Sequence, residues 1–229
     1  MTFIDGCGAS ILDDPDYPLR IQTSGDYKGW RSAAVRKEPW TFEWLKTIGS
    51  GTFYDVGACV GSYSLMAAAR GARVIAIEPV PANYAECVAN VTLNGLDDNI
   101  TVLCCAAGAD TADTMLFASP APGFGLASQD HRSDQQTERI SVPTRTLADI
   151  AEEYGLPAHI KIDVEGAEKL VISGERGVLD TVQSVICEIK NDDNEAWILR
   201  VMRGRGLESV WDGGRRTEQE RTHVFRRVK

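Results

Sequence analysis

Between Phe53 and Gly108 the hydrophobic pattern keeps changing period. FYDVG, RVIAIEP and ITVLCCAAG carry the short apolar runs of strands, while SLMAAAR and NYAECVANVTLNG between them carry helical spacing. Such alternation dictates parallel strands joined by right-handed helical crossovers, since a parallel pair cannot be closed by a tight hairpin. The pattern resumes downstream with LADIAEEYG as a helix, HIKIDVEG as a strand, EKLVISGERGVL as a helix and VQSVICEIK as a strand. The helix DNEAWILRVMRGRG and two short strands, LESVWD and HVFRRV, follow, and TMLFAS and RISVPTRT pair as strands around the polar loop APGFGLASQDHRSDQQ. The expected fold is α/β, a mostly parallel, doubly wound sheet with helices on both faces and an antiparallel C-terminal strand.

A chain of 229 residues, 43% hydrophobic, fits one large domain with its own core. Residues 1–50, punctuated by Pro15, Pro18, Gly25 and Gly29, read as an irregular segment that packs on or caps the domain of residues 51–229, with one short helix in TFEWLKTI. The net charge of −9 disfavours nucleic acid as a partner, because such a surface draws its affinity from Lys and Arg against phosphates. The Arg-rich stretch after Arg203 alternates with Glu208, Asp212, Glu218 and Glu220, the pattern of a solvated face. No apolar run approaches the ~18 residues of a membrane span, and MTFIDGCGAS lacks the basic start of a secretory signal, so a cytoplasmic location is expected. Cys59, Cys87, Cys104, Cys105 and Cys187 fall in apolar patterns without a CxxC pair, and are expected to be buried hydrophobes rather than metal or redox groups.

In a doubly wound sheet, ligands lie beyond the carboxyl ends of the strands, where the first strand-to-helix turn approaches them most closely. Here that turn is DVGACVGS, Asp55 to Ser62. Gly57 and Gly61 lack a Cβ and would let a ligand lie on the main chain, with Ala58 and Ser62 completing the turn and Asp55 accepting from a cationic or hydroxyl-bearing group. A dinucleotide turn wants GxGxxG, whereas this one is GxxxG preceded by an acid. Glu78, twenty-one residues after Gly57 at the end of the second strand, suits the two hydroxyls of a ribose. Ribose plus cation without phosphate describes S-adenosylmethionine. A nicotinamide-dependent enzyme and a nonenzymatic ligand-binding domain of the same fold remain the alternatives.

The sequence resembles the FkbM family of S-adenosylmethionine-dependent methyltransferases over roughly residues 31–190. The resemblance rests on KEPWTFEWL, FYDVGACVGSYSL, AIEPVPANYAECVANVTLNG, VPTRTLADI, IKIDVEGAEKLVISG and the strand-end Glu188 of VICEIK. Cys59 stands where the family's loop commonly has Asn. The resemblance implies a Rossmann-like methyltransferase fold and, usually, O-methylation of a hydroxyl on a sugar, a glycan or a small natural product. It also implies that Asp55, Gly57 and Gly61 contact the methionine end of the cofactor and Glu78 the ribose. Pro79 would shape the adenosine side, and Cys105 to Ala107, with Ala106 central, would lie near adenine.

Methyl transfer needs an in-line nucleophile, a dry site and sometimes a base. Asp163 and Glu165 in KIDVEG are two apart and point to the same side if their strand continues, one facing the cofactor and the other the acceptor. Glu188 closes the next strand and would join them, either in metal-free base catalysis, the favoured reading, or around a divalent cation. Alternatively Glu165 and Glu168 begin a helix. Lys37 and Glu38 either face the crevice or pair with each other. His131, in the loop from Ser119 to Gln136, is an acceptor-contact candidate. The acceptor's identity and the oligomeric state, a homo-oligomer among the options, are open at this level.

Overall fold

The computed structural model describes residues 9–22, 28–118, 127–128, 138–190, 192–217 and 220–228. The chain begins with β1 (Ser10–Ile11), β2 (Arg20–Ile21), α1 (Lys28–Ser32), α2 (Ala34–Lys37) and α3 (Pro39–Leu45). Then β3 (Thr52–Val56), α4 (Ser62–Ala69), β4 (Arg73–Ile77), α5 (Pro81–Leu93) and β5 (Ile100–Leu103) alternate as expected. After β6 (Ala106–Ala107), β7 (Ala112–Ala118), β8 (Ala127–Ser128) and β9 (Glu138–Arg145) come α6 (Leu147–Tyr154), β10 (His159–Ile162) and α7 (Glu168–Ser173). The chain continues through β11 (Ser184–Lys190), α8 (Asp192–Gly204), β12 (Leu207–Thr217) and β13 (Glu220–Arg227).

The main sheet has the order β12-β13-β11-β10-β3-β4-β5. β11, β10, β3, β4 and β5 are parallel, and β13 and β12 run antiparallel at one end. Chain order reverses between β3 and β10, which opens the crevice where such sheets bind ligands. Period-two alternation sends neighbouring side chains to opposite faces. Phe53, Val74 and Ala76 join the core under α3, α4 and α5, whereas Tyr54, Ile75, Ile77, Ile160 and Ile162 join the core under α6, α7 and α8.

Three element boundaries differ from the sequence reading. ITVLCCAAG divides at Cys104–Cys105, β5 staying in the main sheet and β6 pairing with β9 in a second sheet of order β6-β9-β7-β8. The helix expected through EKLVISGERGVL stops at Ser173 with Gly174 as its C-cap, and after the left-handed Arg176 and Gly177 (φ 42° and 97°) the chain forms only a short 3₁₀ turn at Val178–Asp180. Residues 9–45 are more regular than expected. β1 and β2 pair antiparallel, and the backbone N–H groups of Arg20 and Gln22 donate to Asn94 and Asn90 on α5 at 2.8 and 2.7 Å. Leu12, Leu19, Ile21, Phe42 and Trp44 belong to the same core as Leu65 and Met66, so this segment shares the domain's interior.

Candidate active site

The crevice between β3 and β10 is built by two turns in backbone contact. A Cβ on Gly57, which has φ 84°, would lie 1.9 Å from the Asp163 carbonyl oxygen. The sequence reading reserved that space for a ligand, and the structure fills it with the neighbouring turn. Gly61 is likewise closed by protein, its absent Cβ lying 2.8 Å from Cys87 Sγ on α5, with φ 88° at the start of α4.

Four of the turn's own donors are spent inside the protein. The N–H groups of Gly57 and Ala58 donate to the Ile77 carbonyl at 2.9 and 3.1 Å, and that of Gly61 to Ala58 at 2.9 Å. Cys59, at φ 52°, donates its N–H to Glu78 Oε2 at 2.8 Å. Glu78 Oε1 also accepts from Val80 N–H at 2.9 Å and Asn83 Nδ2 at 3.3 Å. Burial pushes the Glu78 carboxyl above its usual range, although these donors oppose the shift. Each carboxylate oxygen still has lone-pair capacity for a hydroxyl.

A recess of about 370 Å³ lies over this turn, bordered by Gly57, Ala58, Ser62 and Tyr63 and closed by Arg31, Lys37 and Glu38 from the N-terminal helices. A second recess of about 200 Å³ opens beside it between Thr41, Glu188 and Thr222. Glu38, Lys161 and Asp163 border both. Lys37 and Glu38 satisfy both sequence alternatives, since they pair at 3.4 Å and also face the recess.

Lys161, absent from the sequence reading, holds the two acids together. Its ammonium lies 3.2 Å from Asp163 Oδ2 and 3.6 Å from Asp55 Oδ1. Asp55 is fully buried and its Oδ2 accepts from Ser64 Oγ at 2.6 Å, so the cation and hydroxyl it meets belong to the protein. Burial disfavours charge on Asp163, but Lys161, with Lys37 and Lys190, outweighs it and holds the carboxyl below the usual range. Burial likewise works against the Lys161 ammonium, and Asp163, Asp55 and Glu38 more than offset it. A lysine so placed stays charged and is not a base at neutral pH.

Glu165 departs from expectation. β10 ends at Ile162, and Glu165 adopts φ 55° and pairs with Lys190 instead of following Asp163 along a strand. It also precedes α7, which begins at Glu168. Among the described residues no group of three His, Cys, Asp or Glu side chains is placed to hold a metal ion. Pro79 follows β4 and Ala106 opens β6, both outside the lining of the two recesses, with Ala106 paired to Thr144. His131 and most of the loop from Ser119 to Gln136 fall outside the described residues. Besides Lys161, sequence reading missed Arg31, Tyr63 and Thr222. The signal for Lys161 was present, since a lysine within a four-residue apolar strand is buried only if paired.

The sequence profile of the methyltransferase FkbM domain matches residues 55–210. The chain belongs to the FkbM methyltransferase family. No curated protein matches it. Among solved structures the methyltransferase is similar to precorrin-6y C5,15-methyltransferase from Geobacter metallireducens, with 12% identity, 95% of this chain and 96% of that one covered, and a TM-score of 0.51. It is also similar to Streptococcus pneumoniae Sp1610, assigned as a tRNA methyltransferase and solved with S-adenosylmethionine, with 17% identity, 83% and 74% coverage, and a TM-score of 0.53. A third is Escherichia coli yhhF, assigned as a methyltransferase, with 12% identity, 97% and 100% coverage, and a TM-score of 0.56. At these identities the likeness is one of fold. Among the described residues no helix is long and apolar enough to cross a membrane.

Proposed function

We propose that this enzyme transfers the methyl group of S-adenosylmethionine to a hydroxyl of a sugar, a glycan or a small natural product. The observation that carries the reading is Asp163, which borders both recesses and is held ionised between them. The larger recess suits the methionine end of the cofactor, an ammonium and a carboxylate, because it brings Asp163 and Glu38 together with Arg31 and Lys37. The bound cofactor supplies a methyl group on a sulfonium, a cation that favours an anionic wall. Glu78 accepts the ribose hydroxyls, and Asp163 takes the acceptor's proton as the new bond forms.

The glycine turn argues against a nicotinamide dinucleotide, since the N–H groups of Gly57, Ala58, Cys59 and Gly61 already have acceptors within the protein. The net charge of −9 favours a small acceptor over RNA. Pairing of Asp163 with Lys161 and of Glu165 with Lys190 favours metal-free transfer, because each carboxylate already has a cation.

Calorimetry with S-adenosylmethionine tests the cofactor assignment. Glu78→Ala removes charge-assisted hydrogen bonds of about 1.5–3 kcal/mol and is expected to weaken binding roughly 10- to 150-fold. Unchanged affinity would remove Glu78 from the site. Formation of S-adenosylhomocysteine across sugar, polyketide and RNA acceptors, with and without chelator, then tests the chemistry. Turnover on RNA alone, or turnover lost to chelator and restored by a divalent ion, would overturn the reading.

A further inference from the structure

β10 alternates strictly. Ile160 and Ile162 enter the apolar core, so His159 and Lys161 face the opposite side, toward α3 and α4. His159 has an evident structural role there, with Nδ1 2.8 Å from Ser184 Oγ and its ring edge-on to Trp44. Lys161 does not lend itself to that account. It is 4% exposed, and it sits 5.1 Å from the Tyr63 ring centroid as well as beside its two acids. Ion pairs this deep give back in desolvation much of what they gain in attraction, and an apolar replacement is often as stable. Stability alone therefore does not explain a lysine in this strand. Its location does, since it borders both recesses and bridges Asp55 on β3 to Asp163 at the mouth of β10.

We infer that Lys161 is the positioning residue of the methyl-transfer site: it fixes the Asp163 carboxylate on the wall common to the two recesses and keeps it ionised there. The inference rests on the cofactor reading above. Around Asp163 the cations are Lys161, Lys37 and Lys190, and the acids are Asp55, Glu38 and Glu168. The thiols of Cys59 and Cys187 lie within its electrostatic reach, and burial keeps both protonated. Among the three cations Lys161 acts most strongly, and it also hydrogen-bonds Asp163. Lys37 and Lys190 are committed elsewhere as well, to Glu38 and Glu165. Remove the Lys161 ammonium and burial governs, so Asp163 holds its proton to higher pH.

The test pairs two readouts, the titration of the Asp163 carboxyl by carbon-13 NMR and the pH dependence of S-adenosylhomocysteine binding by calorimetry. Lys161→Met combined with Asp55→Asn removes one charge of each sign and avoids leaving both acids unpaired. In that folded variant Asp163 is expected to titrate at least about one unit higher than in the wild type, and binding to fall about two- to fivefold between the two midpoints and toward about 10-fold below both. An unchanged Asp163 midpoint would overturn the inference and leave Lys161 a structural residue. Should the pair not fold, Asp55→Asn alone decides. Lys161 then keeps Asp163 as its nearest acid, with Glu38 beyond, so the midpoint is expected at or below the wild-type value, and an upward move would overturn the inference. Wild-type protein that binds no S-adenosylhomocysteine would refute the cofactor reading instead, with the NMR titration still judging Lys161.

Discussion

Two residues near the crevice have consequences that reach beyond their own contacts. Gly57 touches the Asp163 carbonyl across the switch point, so a methyl group there meets backbone that has no flexible end to yield. Gly57→Ala also places a side chain at φ 84°. Both turns must shift, at a cost of more than about 2 kcal/mol in stability together with loss of cofactor affinity. Urea unfolding and calorimetry on the same variant check the two effects, and normal binding would separate the turn from the site. Glu168, fully buried at the start of α7, accepts from Gly166 N–H through Oε1. Burial raises its carboxyl from 4.5 to about 7. The unfolded chain therefore releases this proton near pH 4.5 and the folded chain only near 7, so stability falls as pH rises through that window and levels off above it. Glu168→Gln keeps the acceptor and removes the titration, and is expected to be more stable by about 3 kcal/mol at pH 8 and equal to the wild type at pH 4. Parallel pH–stability curves for the two proteins would contradict this.

At the level of elements, helix α6 has the clearest local code. Thr146 accepts from Asp149 N–H at 3.0 Å and the Asp149 carboxylate reaches back to Thr146 N–H at 3.4 Å, a reciprocal cap. Thr146→Ala is expected to cost about 1 kcal/mol in denaturant unfolding and to spare cofactor affinity, since α6 lies away from the crevice. Elements with strong local codes were legible in the sequence: β3, α4, β4 and α5 have clear periods, and the Gly57 turn, Glu78 and Asp163 follow from their places at strand ends. What was not legible depends on contacts between distant segments. The end of β10 at Ile162 and the swing of Glu165 to Lys190 are set by tertiary pairing that no local pattern encodes. The same holds for β1 and β2, whose two-residue pairing is too short to carry a period and is fixed by Asn90 and Asn94 of α5. The glycines were read as room for a ligand on the main chain, and tertiary packing instead brings Asp163 and Cys87 against them.

Across the whole molecule, the first fifty residues and the sheet are bound by a charge pair as well as a shared core. Arg70 at the end of α4 donates to Asp14 at 2.6 and 2.9 Å, and the Asp14 side chain is fully covered. Asp14→Ala strands a largely buried guanidinium, an effect of about 3–5 kcal/mol if Asp16, at 2.8 Å, does not take over. A thermal melt shifted by less than the experimental scatter would show that Asp16 suffices. Arg31, Lys37 and Glu38 reach the recess from this segment, so loosening it is expected to lower cofactor affinity in parallel. The order of the strands has a further consequence for synthesis. β11 is followed by 37 residues before its outer partner is complete, because β13 ends at Arg227 and β11 at Lys190. A nascent chain halted before Glu220 has β3, β4, β5 and β10 available to pair while the apolar edge Ser184–Lys190 stays open to any other strand. Ribosome-associated chaperones that shield such edges would therefore matter most between the emergence of β11 and that of β13.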